Sequence, residues 1–264
     1  LTTPLPEAPT APARAGNAVL LRLHQIEQFY GGRIRIMGPL DLEVYEGEFL
    51  SLVGPSGCGK STLLRIVAGL LRPTRGTVLL GGRPLVGVNP EAAVVFQSFA
   101  LFPWLTVVDN VALGLEARGM PVHERLKRAE KYLDMVGLSG YERAYPRELS
   151  RGMKQLAGLA RALVMEPELL CLDQPFSALD VLTARTVRDL VLDLWGSPQV
   201  STKTILLVTH SIEEAVAMSD RVVVMKPNPG RITQTVDLKE LARPRRADHP
   251  QVHDTIDRMY GMLG

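Results

Sequence analysis

Residues 49–64, FLSLVGPSGCGKSTLL, carry the side chains best suited to chemistry in this 264-residue chain. An apolar run leads into a glycine-rich loop, and Lys60, Ser61 and Thr62 then open a helix. Gly54, Gly59, Lys60 and Ser61 fit the phosphate-loop spacing without a gap, and Pro55, Ser56, Gly57 and Cys58 fill it. Backbone N–H groups of such a loop face phosphate oxygens, and the helix behind it adds its positive end. Lys60 is placed to reach the β- and γ-phosphates, and Ser61 to hold Mg²⁺. The spacing implies binding of a nucleoside triphosphate and leaves hydrolysis open. Cys58, in the loop, reads as exposed enough to be modified, and nothing marks it as catalytic.

Strands and helices in alternation must position this loop. Residues 19–53 read as strands: VLLRLHQIEQFY, a turn at Gly31 and Gly32, then RIRIM and LDLEVYEGEFLSLV. A helix is expected over 60–70, ended by Gly69 and Pro73. GTVLLGG reads as a strand and turn, and 93–97 as a short strand ending on Gln97. Residues 106–165 read as mostly helical, with PVHERLKRAEKYLDMVGL the clearest amphipathic piece. LLCLD at 169–173 is patterned as a buried strand, followed by a helix through about Trp195. TILLVTH at 204–210, a helix over 211–218 and the strand RVVVM come next, and the charged tail from Lys239 ends in a short helix.

The bulk composition narrows the setting. Hydrophobic residues are 46% of the chain, enough for a sizeable core, and the net charge of +2 gives no case for nucleic acid as a partner. The two cysteines form neither a metal spacing nor a disulfide framework, which suits a reducing compartment. No apolar stretch approaches the roughly 18 residues that cross a bilayer, so a membrane link is expected through a partner protein. Residues 1–18 read as a disordered Pro/Ala-rich arm without a signal-peptide core.

Three further segments carry a resemblance: FQSFALFPWLTVVDNVALGL, YPRELSRGMKQ and DQPFSALDVLTA. With the glycine loop, and in this order, they make the chain resemble the ATP-binding subunit of ABC transporters over nearly all of residues 19–235. The nearest group looks like that of importers for nitrate, sulfonate, taurine or bicarbonate. The resemblance implies an α/β fold, a P-loop NTPase of the ABC type with an N-terminal antiparallel β subdomain and a helical insert. The expected division is an ATP-binding domain over 19–236, a helical subdomain about 98–168 and a tail over 237–264.

Residue by residue, the resemblance assigns ATP and Mg²⁺ as cofactors. Tyr30 matches the aromatic that stacks on adenine; packing at a turn is its plainer role. Gln97 matches the glutamine that helps hold Mg²⁺ and senses the γ-phosphate. Phe99, Leu101, Phe102, Pro103 and Trp104 lie on the stretch that receives a membrane subunit, or they pack under the helical insert. Ser150, Arg151, Gly152 and Met153 lie in the signature motif, which closes on nucleotide held by a second subunit; Ser150 also suits a helix N-cap. Asp173 matches the carboxylate that orders the Mg²⁺ shell, Asp180 the loop at the dimer seam, and His210 the switch histidine.

The departures bear on catalysis. Gln174 stands where the family places the glutamate that polarises the attacking water, and glutamine cannot accept a proton as a base. It reads either as a naturally degenerate site or as an engineered replacement that holds the closed state. Arg151, Leu156 and Ser177 depart from the usual residues too. The expected function is therefore the ATPase subunit of a small-anion importer with weakened hydrolysis, on the cytoplasmic face of the inner membrane. Its expected partners are a second ATP-binding subunit, two multispan permease subunits and a substrate-binding protein. The alternatives are a non-hydrolysing regulatory subunit of a heterodimeric pair and a non-transport ABC ATPase.

Overall fold

The structure is a computed structural model that describes residues 18–245 and 249–263. The expected N-terminal arm lies almost wholly outside the described residues. Two antiparallel strands come first, β1 (Val19–Tyr30) and β2 (Ile34–Tyr45), followed by β3 (Phe49–Val53) and α1 (Lys60–Val67). β4 (Arg75–Leu80), β5 (Arg83–Pro84) and β6 (Ala92–Val95) lead to the helices α2 (Val107–Ala117), α3 (Val122–Met135) and α4 (Arg151–Leu163). The chain then alternates through β7 (Leu169–Asp173), α5 (Val181–Gly196), β8 (Thr204–Thr209), α6 (Ile212–Met218) and β9 (Arg221–Lys226). It closes with β10 (Arg231–Asp237) and α7 (Pro250–Leu263).

These strands build two sheets: an antiparallel one in the order β2-β1-β4-β5, and a six-stranded one in the order β10-β9-β3-β8-β7-β6. In the larger sheet β9, β3, β8, β7 and β6 run parallel. Every residue of β3, β7 and β8 is buried, which explains their nearly continuous apolar patterns. Alternate residues face opposite layers. Leu50 and Leu52 pack with Leu63, Val67 and the first sheet, whereas Phe49 faces the helical layer with Leu170 and Leu207.

Three boundaries differ from the pattern reading. LDLEVYEGEFLSLV is not one strand. Gly47 adopts φ 69°, and Glu48 N–H donates to the Tyr45 carbonyl (3.3 Å), so β2 and β3 part into different sheets. The buried Glu48 carboxylate pins that turn by two 2.7 Å bonds from Arg221. α1 stops at Val67 because Gly69 turns at φ 68°, so close to the Gly87 carbonyl that a Cβ would lie 2.1 Å from it. β6 ends at Val95, so Gln97 lies in the following turn rather than on the strand. Among the described residues no helix is long and apolar enough to cross a membrane.

Candidate nucleotide site

Parallel pairing sets the geometry of the site. The last residues of β3 and β8 are partners (Val53 and Thr209), and Asp173, the last of β7, pairs with Val208. Their carboxyl ends therefore share one edge, where open α/β sheets bind ligands. That edge carries Gly54, Asp173, Gln174 and His210.

The loop from Gly54 to Gly59 joins β3 to α1. Pro55, Ser56 and Gly57 form its exposed crest, and Thr62 is half-buried in the first turn of α1. Gly57 and Gly59 stand at φ 80° and 95°, in the left-handed region that favours glycine. Gly59 caps α1 without a side-chain bond, and no acidic residue occupies the first turn, so the helix start suits an anion. The Lys60 ammonium is buried and donates to the carbonyls of Gly54 (2.7 Å) and Pro55 (2.9 Å). Cys58 is fully buried, which overturns the expectation that it is open to modification. Its thiol packs so tightly that a Cβ on Gly54 would lie 2.9 Å from it.

Ser61 at the start of α1 donates its hydroxyl proton to Asp173 Oδ1 at 2.8 Å. Hydroxyl and carboxylate oxygens are hard donors of the kind Mg²⁺ takes. Among the described residues no cluster of three or more His, Cys, Asp or Glu could hold a metal. A cation here would therefore draw the rest of its shell from phosphate and water, as Mg²⁺ at nucleotides does. On the same strand, burial pushes the Cys171 thiol up to about 12, with the Asp173 charge adding to it. It stays neutral and adds no second negative charge.

Gln174 follows directly, in a left-handed conformation at φ 48°, which costs a non-glycine residue about 1 kcal/mol or more. Its N–H donates to the Val208 carbonyl (2.8 Å), and its own carbonyl accepts from the Ser177 hydroxyl (3.0 Å). The exposed Gln97 donates Nε2–H to that same hydroxyl oxygen (3.1 Å). His210 is exposed at the end of β8. Its turn is fixed by Thr209, whose hydroxyl donates to Glu214 (2.6 Å) and accepts from the Ser211 N–H (3.1 Å).

The remaining predicted residues stand in other layers. Tyr30 ends β1 with a 72% exposed ring beside Gly31 and Gly32, whose positive φ angles turn the chain. Ser150 caps α4 by accepting from the Met153 N–H, and exposed Arg151 opens that helix. Gly152 lets α4 approach α5: a Cβ there would lie 2.5 Å from the Thr183 methyl. Asp180 caps α5 through the Thr183 N–H (3.1 Å), and hydrogen bonds from Thr183 hold its carboxyl below the usual range.

Two organising residues escaped the sequence reading. Arg161, on α4, is pressed by burial toward a lower pKa and donates to the carbonyls of Ala100 (2.6 Å) and Phe99 (3.1 Å). Both acceptor residues have positive φ, 61° at Phe99 and 50° at Ala100. Asn110, fully buried on α2, accepts from Phe102 N–H (2.7 Å) and donates to the carbonyls of Phe102, Leu105 and Thr106. Between these clamps Leu101 packs inward, while Phe102 and Trp104 stay exposed with rings 5.4 Å apart. An arginine on a helix otherwise patterned for burial was the one signal in the sequence for the first clamp.

Comparison with known proteins places these features in a family. The ABC transporter family model matches residues 37–177. A taurine import ATP-binding protein of Pseudomonas aeruginosa is 48% identical over 233 residues, covering 88% of this chain and 87% of that one. A nitrate import ATP-binding protein of Synechocystis is 42% identical over 207 residues, covering 78% and 77%. Among solved structures, the dimeric post-hydrolysis state of an ATP-binding cassette bound to ADP and Pi superposes with a TM-score of 0.73. It is 32% identical, covering 83% of this chain and 98% of that one.

Proposed function

Because this chain belongs to the ABC transporter family as one of its ATP-binding subunits, we propose that it drives import of a small oxyanion such as nitrate or a sulfonate. The observation that carries the nucleotide part of the reading is the convergence of the phosphate loop, the Ser61–Asp173 pair and Gln174 on one sheet edge, and the oxyanion part rests on the likeness to the nitrate and taurine import proteins. Loop N–H groups and the start of α1 bind phosphate oxygens, and Lys60 exchanges its loop carbonyls for them. Ser61, Asp173 and the Gln97 amide are the oxygen donors for Mg²⁺, which when bound neutralises charge on the transferring phosphoryl group. Tyr30 offers an open face to the adenine.

The working unit is a dimer, as in the ADP- and Pi-bound cassette. The start of α4, with Ser150, Gly152 and Met153, faces the nucleotide of the second subunit. Arg151 there adds a positive charge to a helix end that already favours anions. The Phe102–Trp104 patch receives one of two permease subunits, which tie the chain to the cytoplasmic face of the membrane; a substrate-binding protein delivers the anion. Such a patch, held from below by Asn110 and Arg161, is a docking surface rather than an accidental exposure.

Hydrolysis at this chain's own site is weak, because Gln174 offers no base to the attacking water. His210 orients that water without replacing the base. The same residue favours a second reading, an ATP-gated subunit that binds nucleotide and turns little of it over. Vesicles holding the chain with its permease subunits test both. ATP-dependent uptake of nitrate or taurine supports the import reading. Tight nucleotide binding with background turnover and no uptake supports the second. Absence of ATP binding by the purified chain overturns both.

A further inference from the structure

We infer that Ser177 is a positioning residue that sets which end of the Gln97 amide faces the metal; this rests on the Mg²⁺–ATP reading above. The argument is one of proton counting. A serine hydroxyl has one proton to give and two lone pairs to accept with. Ser177 gives its proton to the Gln174 carbonyl at 3.0 Å, and because a carbonyl oxygen only accepts, the hydroxyl is the donor of that bond. Toward Gln97, 3.1 Å away, the hydroxyl oxygen is left with acceptance alone. The group that meets it must be the amide NH₂, and the opposite end, Oε1, is the end left for other partners.

That orientation matters because a hard cation takes oxygen and rejects an amide NH₂. An amide is nearly symmetric in shape, so its neighbours alone decide which end points where. The backbone backs the arrangement. Gln174 is held at φ 48° with its N–H on the Val208 carbonyl, so its own carbonyl is a fixed acceptor rather than a mobile one. Ser177 N–H also donates to it, at 3.3 Å, which holds the hydroxyl near its target. A residue without a hydroxyl at 177 would leave the Gln97 amide free to turn its NH₂ toward the cation and repel it. Ser177 thereby gains a specific task at the metal.

The test uses the full chain, the non-hydrolysable analogue AMP-PNP, and Mn²⁺ as a paramagnetic stand-in for Mg²⁺. Mn²⁺ affinity is read by electron paramagnetic resonance in the presence of AMP-PNP, and AMP-PNP affinity is read separately without metal. Loss of one neutral hydrogen bond corresponds to a factor of roughly 2–10. Ser177→Ala is expected to weaken Mn²⁺ by about that factor, with metal-free nucleotide affinity and melting temperature unchanged. Ser177→Thr, which keeps the hydroxyl, is expected to restore it. Unchanged Mn²⁺ affinity in Ser177→Ala overturns the inference, as does an equal loss of metal-free nucleotide binding, which would mark a merely structural role. If the unaltered chain binds neither AMP-PNP nor Mn²⁺, the nucleotide reading itself fails and takes this inference with it.

Discussion

Ser61 and Asp173 stand 112 positions apart in the chain, yet the serine hydroxyl donates to the aspartate carboxylate at 2.8 Å. One opens the helix after β3, and the other ends β7; β8 runs between the two strands. Among the described residues the buried aspartate has the Ser61 hydroxyl as its hydrogen-bond partner, and a cation with its waters would offset the cost of desolvating the charge. Asp173→Asn keeps the shape and removes the charge. It should abolish most of the gain in ATP affinity that Mg²⁺ brings, about tenfold or more, since contacts to charged groups contribute roughly 1.5–3 kcal/mol. Titration of ATP with and without Mg²⁺ measures this, and an undiminished metal effect in the variant would remove Asp173 from the metal shell.

Gln174 makes the opposite kind of prediction, a gain. Its left-handed backbone is held by Val208 and Ser177, and neither bond involves its side chain. Gln174→Glu therefore leaves the scaffold intact and supplies a base. Turnover should rise by about 10²–10⁴-fold if the remaining site is competent. Phosphate release by the purified variant in the presence of its permease partners is the measurement. No gain would shift the block to Arg151 at the start of α4.

The phosphate loop was legible in the sequence because its function is local: six residues, a strand before and a helix after. The Ser61–Asp173 pairing was legible only through resemblance to a family, since nothing in either residue's neighbourhood names the other. Arg161 and Asn110 were hidden for a different reason, and of Ser177 only the residue type, not its contacts, was visible. Each acts on backbone carbonyls or amides, and a sequence does not show where those groups point. The break between β2 and β3 was lost in continuous strand-like residues, with Gly47 the only mark. Cys58 was misjudged because loop position was taken for exposure, whereas its thiol fills space beneath Gly54.

Arg161 joins α4, the helix capped by Ser150, to Phe99 and Ala100, just past the turn at Gln97 and Ser98. Its fork spans two carbonyls at positive φ, a geometry that a lysine point charge cannot reproduce. Arg161→Lys should cost roughly 1.5–3 kcal/mol of stability, the scale of bonds to a charged donor. It should also raise hydrogen exchange across residues 98–104 more than elsewhere. Exchange that stayed uniform over the helical layer would show that the clamp is not specific to this turn.

Trp104 separates docking from folding. Trp104 is 70% exposed, so Trp104→Ala should leave the unfolding free energy within about 0.5 kcal/mol of the parent, as for other surface positions. Binding to the permease subunits should fall by about tenfold or more, because exposed aromatic anchors dominate interfaces. Pull-down of the permease pair, with ATP affinity as the control, reads both effects. Equal permease binding would place the interface elsewhere on the helical layer.

Tyr132 gives the helical layer a pH dependence whose sign is fixed. The buried phenol is held up to about 12, by burial first and then by its hydrogen bond to Glu166 (3.0 Å). The ordinary value is near 10. The folded state therefore keeps the proton where the unfolded chain has lost it. The stabilisation is complete below pH 10 and fades as pH rises toward 12. Tyr45 is raised as well, by burial and Glu43, so the two phenols act in the same direction. Tyr132→Phe should lower stability at neutral pH by about 0.5–1.5 kcal/mol for the lost bond. It should also flatten, without abolishing, the decline between pH 10 and 12. Denaturant melts at pH 8 and pH 11 measure both parts, and an equal decline in the variant would assign the alkaline loss to other groups.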